Sequence, residues 1–253
     1  MSGIGLRTPV TGSLREIAPG PAGGPAVLCF PHAGGCASFF HPWRSALAGV
    51  RVDAVQYPGR EERIAHPPAP SLVALAASIA GEIRAGARRY AVLFGHSMGA
   101  YLAFEVAHLL EQAGAPVPTV VVSSAAAPAH RPPVPFRRND EVLAYLESYE
   151  PVDAEVRQDE ELLDLILGYL KDDLRLVARY TQHTGKRISG RMVAVAGAAD
   201  VPGIRGGVAR WRDHAAGGFT VRTVPGGHFY LRDDPPLALL ADELAGAIGG
   251  CAA

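Results

Sequence analysis

Cysteine is scarce, with only 3 in 253 residues, at Cys29, Cys36 and Cys251. Their positions offer no paired metal-ligand spacing, and Cys29 falls within an apolar run where cysteine behaves as a small core residue. This usage fits a reducing cytoplasm. An excess of charge is also missing: the formal net charge is -1. Whole-molecule attraction to nucleic acid or to an anionic membrane is therefore not expected, although local patches remain open. No apolar stretch approaches membrane-spanning length, and the N-terminus lacks a charged leader followed by an apolar run. Internal repeats and low-complexity tracts are absent as well. The expectation is a soluble, unexported protein.

What remains is an apolar, moderately charged chain, 48% hydrophobic and 19% charged, as a large buried core requires. The first twenty residues, rich in Gly, Pro and Ser, read as a loose lead-in. Afterwards apolar runs alternate with helical patterns. Strands are expected over 25–31, 50–58, 90–94, 119–127, 191–197 and 219–225, and helices over 71–85, with Ser71 as N-cap, 98–113, 204–215 and 237–248. Continuous rather than alternating apolar runs indicate parallel strands covered on both faces. The reading is one α/β domain over 1–253, built on a mostly parallel, doubly wound sheet. One interval breaks the rhythm: about sixty residues after 127 are mostly helical, opened by the proline-rich PAHRPPVPF. Helices are expected over 139–150 and 159–180, the second with Leu162, Leu163, Ile166, Leu167, Leu170 and Leu174 along one stripe. This insertion, 130–185, reads as a helical lid over the carboxyl ends of the strands, against the plainer alternative that its helices complete the core.

The segment YAVLFGHSMGAYLAFEVAHLL places Ser97 between a strand pattern and a helix pattern, with Gly95 and Gly99 two residues to either side. Serine is a poor nucleophile without a base and without donors for the developing oxyanion. G-x-S-x-G in a strand, turn, helix context is a nucleophile elbow, which holds the hydroxyl in the open. The alternative, a glycine-rich turn with a capping serine, is the plainer one. For the base, His228 in PGGHFYL follows a strand. For the acid, Asp200 closes RMVAVAGAAD just past another, so both open onto the same sheet edge. The order Ser97, Asp200, His228 is that of α/β-hydrolases. Asp233 and Asp234, close to His228, are rival orienters, although their place before Pro235 suits helix capping. Asp213 and His214 read as surface or packing residues, and His96 as packing. The oxyanion donors expected are the backbone N–H groups of Met98, after the nucleophile, and of Ala33 in the small-residue loop PHAGG.

Taken together, LCFPHAGGCASFF, VQYPGREERI, GHSMGAYLAFEVA, SSAAAP and VPGGHFYL resemble the type II thioesterases that accompany polyketide synthases and nonribosomal peptide synthetases, over about residues 26–241. The resemblance implies Ser97 as nucleophile, Asp200 as orienter, His228 as base, and Ala33 and Met98 as oxyanion donors. GAADVPG departs from relatives that carry more acidic residues around the aspartate. It further implies an α/β-hydrolase fold and hydrolysis of short or aberrant acyl groups from the phosphopantetheine arm of an acyl or peptidyl carrier protein, with no metal or organic cofactor. Two other readings stand beside it: a carboxylesterase or lipase with the same triad, and a hydrolase-fold binding protein without chemistry. For an acidic carrier, Arg137 and Arg138 form a candidate basic rim, the alternative being two solvated arginines.

Overall fold

The apolar runs become a 7-stranded sheet in the order β1-β3-β2-β4-β5-β6-β7, with β1 Leu14–Ala18, β2 Ala26–Phe30, β3 Arg51–Val55, β4 Val92–His96, β5 Thr119–Ser123, β6 Met192–Gly197 and β7 Phe219–Val224. The computed structural model describes residues 12–249 apart from 46, 48 and 87. All pairings are parallel except that of β1 with β3. The parallel, doubly wound α/β sheet is therefore as expected.

The lead-in is not all loose. Residues 1–11 lie outside the described residues, but β1 adds an antiparallel edge through Leu14↔Val55, Arg15↔Ala54 and Glu16↔Asp53. Its sequence, LREIA, carries two charges in five residues, and only its tail, Ile17 and Ala18, is buried. Pairing with β3, rather than an apolar run, makes it a strand.

Alternation along β2 sends Leu28 and Phe30 into one core and Val27 and Cys29 into another, the signature of a strand covered on both faces. The first core holds α1 (Leu72–Ala85) and α2 (Met98–Gln112). The second holds Phe40 and Trp43 of a 3-10 segment and Leu240 and Leu244 of the C-terminal helix. Helix α1 starts where expected because Ser71 Oγ accepts the Ala74 N–H at 3.1 Å.

Between β5 and β6 the chain forms α3 (Asn139–Glu147), α4 (Ala154–Gln158) and α5 (Glu160–Ala178). Val142, Leu167, Leu170 and Leu174 make a small core of their own, against which Ala33 packs. The expected leucine stripe holds at Leu167, Leu170 and Leu174 but not at Leu162, which is 39% exposed at the N-terminal end of α5. Leu163, the next residue, packs against this core, so Leu162 in the first turn after the Asp159 cap is turned outward. The insertion is tied down at its far end, where the buried Glu105 of α2 takes the Tyr180 hydroxyl and Lys186 Nζ, the latter at 2.9 and 2.7 Å. The helix expected over 204–215 is divided into α6 (Pro202–Val208) and a 3-10 turn, Ala209–His214, and α7 spans Leu237–Gly249.

Candidate active site

Ser97 stands between β4 and α2 with φ 54° and ψ -116°, a conformation that L-residues avoid. Strain of this kind, of order 1–3 kcal/mol, persists only where neighbours over-determine the backbone. Here they do. Ser97 N–H donates to the Ser123 carbonyl at 2.8 Å, extending the β4–β5 ladder one residue into the turn. A Cβ on Gly95 would overlap the Gly99 carbonyl, and one on Gly99 would overlap the Phe30 carbonyl. Strand β4, helix α2 and the end of β2 therefore approach more closely than any side chain permits.

The residues expected as acid and base follow β6 and β7, the two strands beyond β5 in the sheet. Asp200, 3% exposed, follows β6, and His228, 5% exposed, follows β7. The two loops cross: Ala199 N–H donates to the Gly226 carbonyl at 2.8 Å, and Gly226 has φ +96°. Gly197 permits the crossing, since a Cβ there would overlap the Gly227 carbonyl. His228 Nδ1 lies 3.0 Å from Asp200 Oδ1 and 3.2 Å from Oδ2. Asp200 Oδ1 also accepts the Val201 N–H at 2.8 Å, which fixes the carboxylate plane. A carboxylate on Nδ1 orients the ring and leaves Nε2 as the free base.

Among the described residues, side-chain hydrogen bonds join His228 to Asp200 and none joins it to Ser97. His228 reaches the elbow through His96, the residue before Ser97, with ring centroids 5.2 Å apart. His96 is fully buried and shares a 2.9 Å hydrogen bond through Nδ1 with Ser123 Oγ, which in turn meets Tyr230 OH at 2.8 Å. Burial first, then the positive potential of His228, holds the His96 imidazole well below its ordinary range. Its role is packing, as expected from sequence.

The PHAGG loop turns tightly at Gly34, φ +79°, with Gly35 N–H donating to the His32 carbonyl at 3.0 Å. Gly34 N–H is taken by Asp173 Oδ2 at 2.8 Å. Because the end of β2 touches Gly99, this loop and the first turn of α2, where Met98 is buried, are neighbours.

The rival orienters Asp233 and Asp234 are both exposed; Asp213 pairs with Arg210 at the surface, and His214 is buried with Nδ1 2.9 Å from the Lys186 carbonyl. Arg138 is engaged by its own Asp140 at 2.6 Å, and Arg137 lies over the Phe136 ring. Three residues near the site were not singled out from sequence: Tyr149, whose ring lies over His228, and Arg60 and Asp173, a buried ion pair. VQYPGREERI had marked Arg60 as part of a motif, but nothing marked Asp173. Among the described residues, no group of three or more His, Cys, Asp and Glu could hold a metal ion, and no helix is long and apolar enough to cross a membrane.

Comparison with known proteins places this geometry in context. The model of the thioesterase domain matches residues 25–246. A probable cadicidin biosynthesis thioesterase of Streptomyces griseus is 39% identical over 221 residues, 86% of this chain but 61% of that protein, so the chain spans under two thirds of that relative's length. Thioesterase PikA5 of Streptomyces venezuelae is 35% identical over 225 residues, 87% of this chain and 80% of its own. Among solved structures, the type II thioesterase BorB of the borrelidin biosynthetic cluster superposes with a TM-score of 0.80 at 35% identity, covering 92% of this chain and 97% of that one.

Proposed function

The chain belongs to the thioesterase family, hydrolases of thioester bonds, and on that premise we propose that it is a type II, editing thioesterase. It removes short or aberrant acyl groups from the phosphopantetheine arm of a carrier protein in polyketide or nonribosomal peptide biosynthesis. The observation that carries the mechanistic part is the 3.0 Å contact between His228 Nδ1 and Asp200, on a loop that also meets the elbow.

In this reading Ser97 Oγ attacks the thioester carbonyl while His228 Nε2 takes the hydroxyl proton. The C–S bond breaks and the proton leaves with the sulfur, giving free phosphopantetheine thiol and an acyl group on Ser97. A thiol, with a pKa of about 8.5, departs with little help from an acid. His228 then takes a proton from water, the hydroxide adds to the acyl carbon, and Ser97 leaves with that proton as the carboxylic acid is released. Asp200 holds the imidazole in one tautomer and stabilises its cation. The amides of Gly34 and Gly35 are already committed, which supports Ala33 N–H, with Met98 N–H, as the oxyanion donor. Helices α3 to α5 serve as a lid bordering the acyl chamber. No step calls for a metal or organic cofactor. The free thiols Cys29 and Cys36 agree with work in the cytoplasm. Because Arg138 is paired with Asp140, a basic rim for an acidic carrier rests on Arg137 together with Arg179, which lies over the same Phe136 ring.

The test is single-turnover release of acid from an acyl-loaded carrier, with the matched oxygen ester alongside. Ser97→Ala is expected to abolish release with the fold intact. Unchanged turnover in that variant removes the mechanism, and preference for the oxygen ester turns the reading toward a carboxylesterase.

A further inference from the structure

The stretch 56–60, QYPGR, takes no part in the chemistry above, yet its side chains converge on the loop that carries Ala33. Tyr57 OH donates to the Pro31 carbonyl at 2.9 Å. Gln56 Oε1 accepts the Ala37 N–H at 2.8 Å. Arg60 Nη1 donates to the Gly35 carbonyl at 3.0 Å. From the opposite side comes Asp173 of α5, whose Oδ2 accepts the Gly34 N–H and Arg60 Nη1, each at 2.8 Å, while Oδ1 accepts Arg60 Nη2 at 2.8 Å.

Arg60 and Asp173 are each 3% exposed. Removing two charges from water costs several kcal/mol per ion, and an apolar pair of similar volume stabilises a fold at least as well. What an apolar pair cannot do is orient peptide planes. The Ala33 N–H belongs to the same planar unit as the His32 carbonyl, which is held by Gly35 N–H at 3.0 Å. The following unit, from the Ala33 carbonyl to Gly34 N–H, is held by Asp173. With both planes fixed, the direction of the Ala33 N–H is fixed as well.

We infer that Arg60 and Asp173 are positioning residues that aim the Ala33 N–H at the developing oxyanion, and that the aim depends on the seating of α5, because Asp173 rides on that helix. The oxyanion hole is then complete only when this inserted helix is docked. The inference rests on the proposed serine mechanism and adds to it a function for VQYPGREERI.

The experiment compares Asp173→Ala, Asp173→Asn and Ser97→Ala on an acyl-pantetheine thioester too small to need carrier docking, with thermal unfolding followed for each. Asp173→Ala is expected to lower kcat by about 10- to 100-fold, less than outright loss of an oxyanion donor, and to change KM little. Asp173→Asn keeps an acceptor for Gly34 N–H and is expected to recover part of that loss. Fluorophosphonate labelling of Ser97 should slow in the same order. Should Asp173→Ala fail to fold, the double variant Arg60→Met/Asp173→Leu fills the volume without charge and is expected to show the same fall in kcat. Wild-type kcat in a folded Asp173→Ala or double variant overturns the inference, as does a fall matched by lost folded protein in both. If Ser97→Ala itself keeps full turnover, the serine mechanism fails instead; an inactive Ser97→Ala beside a fully active Asp173→Ala removes only the positioning role.

Discussion

The Tyr149 ring rests on the His228 imidazole, with centroids 4.2 Å apart and planes inclined by 41°. Tyr149 follows α3, and its hydroxyl donates to Tyr145 OH at 3.0 Å. The next residue, Glu150, pairs with Arg232 at 2.7 Å, just past His228 in the chain. One face of the imidazole is thus covered from the inserted helices, and a half-exposed ion pair fastens the cover. A pair so exposed contributes under about 1 kcal/mol. Arg232→Gln is therefore expected to speed fluorophosphonate labelling of Ser97 by about two- to fivefold, in line with that energy. Exchanging the charges, Arg232→Glu with Glu150→Arg, should return the rate toward wild type.

At the elbow the glycines admit no substitute. Gly95→Ala would drive a methyl into the Gly99 carbonyl, with Gly95 held in the β4–β5 ladder and Gly99 packed in α2 against the Phe30 backbone. A loss of about 3 kcal/mol or more is expected, read as a lower urea midpoint at unchanged slope. Gly81→Ala, inside helix α1 where a Cβ meets nothing within 4 Å, is the control and is expected to raise stability by about 0.5–1 kcal/mol.

Acid should weaken the fold partly through two imidazoles. Burial, then repulsion from His228, Arg232 and Arg60, pushes His32 down to about 3, and His96 is held well below its usual value. An unfolded histidine titrates near 6.5, so between that pH and about 3 the unfolded chain binds a proton that folded His32 refuses. The stabilising contribution is complete above about pH 6.5 and is lost as pH falls, at no more than about 1.4 kcal/mol per pH unit for one group. Denaturant titrations at pH 7 and pH 4.5 should show a smaller drop for His32→Gln than for wild type.

The anchor beneath the insertion offers a further check. Lys186→Met leaves the Glu105 carboxylate buried against Tyr180 without its cation and should cost about 3 kcal/mol in urea unfolding. Adding Glu105→Gln removes the stranded charge and is expected to recover much of that loss.

The parts of this molecule that sequence revealed share one property: the local chain admits few alternatives. Gly95 and Gly99 around Ser97 read as a tight strand-to-helix turn because only a residue without a side chain allows so close an approach. Apolar runs such as AVLCF read as buried parallel strands because both faces need side chains. Sequence fell short where a residue's state depends on a distant partner. Strand β1 exists because β3 offers an antiparallel edge, and LREIA alone carries no such message. Asp173 reads as one more acid on a charged helix until Arg60, 113 positions away, meets it in the interior. Leu162 is apolar like its neighbour Leu163, yet only Leu163 finds the small core of the inserted helices to pack against.

Strands β5 and β6 are direct neighbours, paired from Val120↔Met192 to Ser123↔Val195, although α3, α4 and α5 lie between them along the chain. The helical segment is consequently an exchangeable cassette: its two attachment points are held by a ladder that does not involve it. A graft from a relative is expected to leave the strands beneath in register, provided the donor brings an acid to meet Arg60.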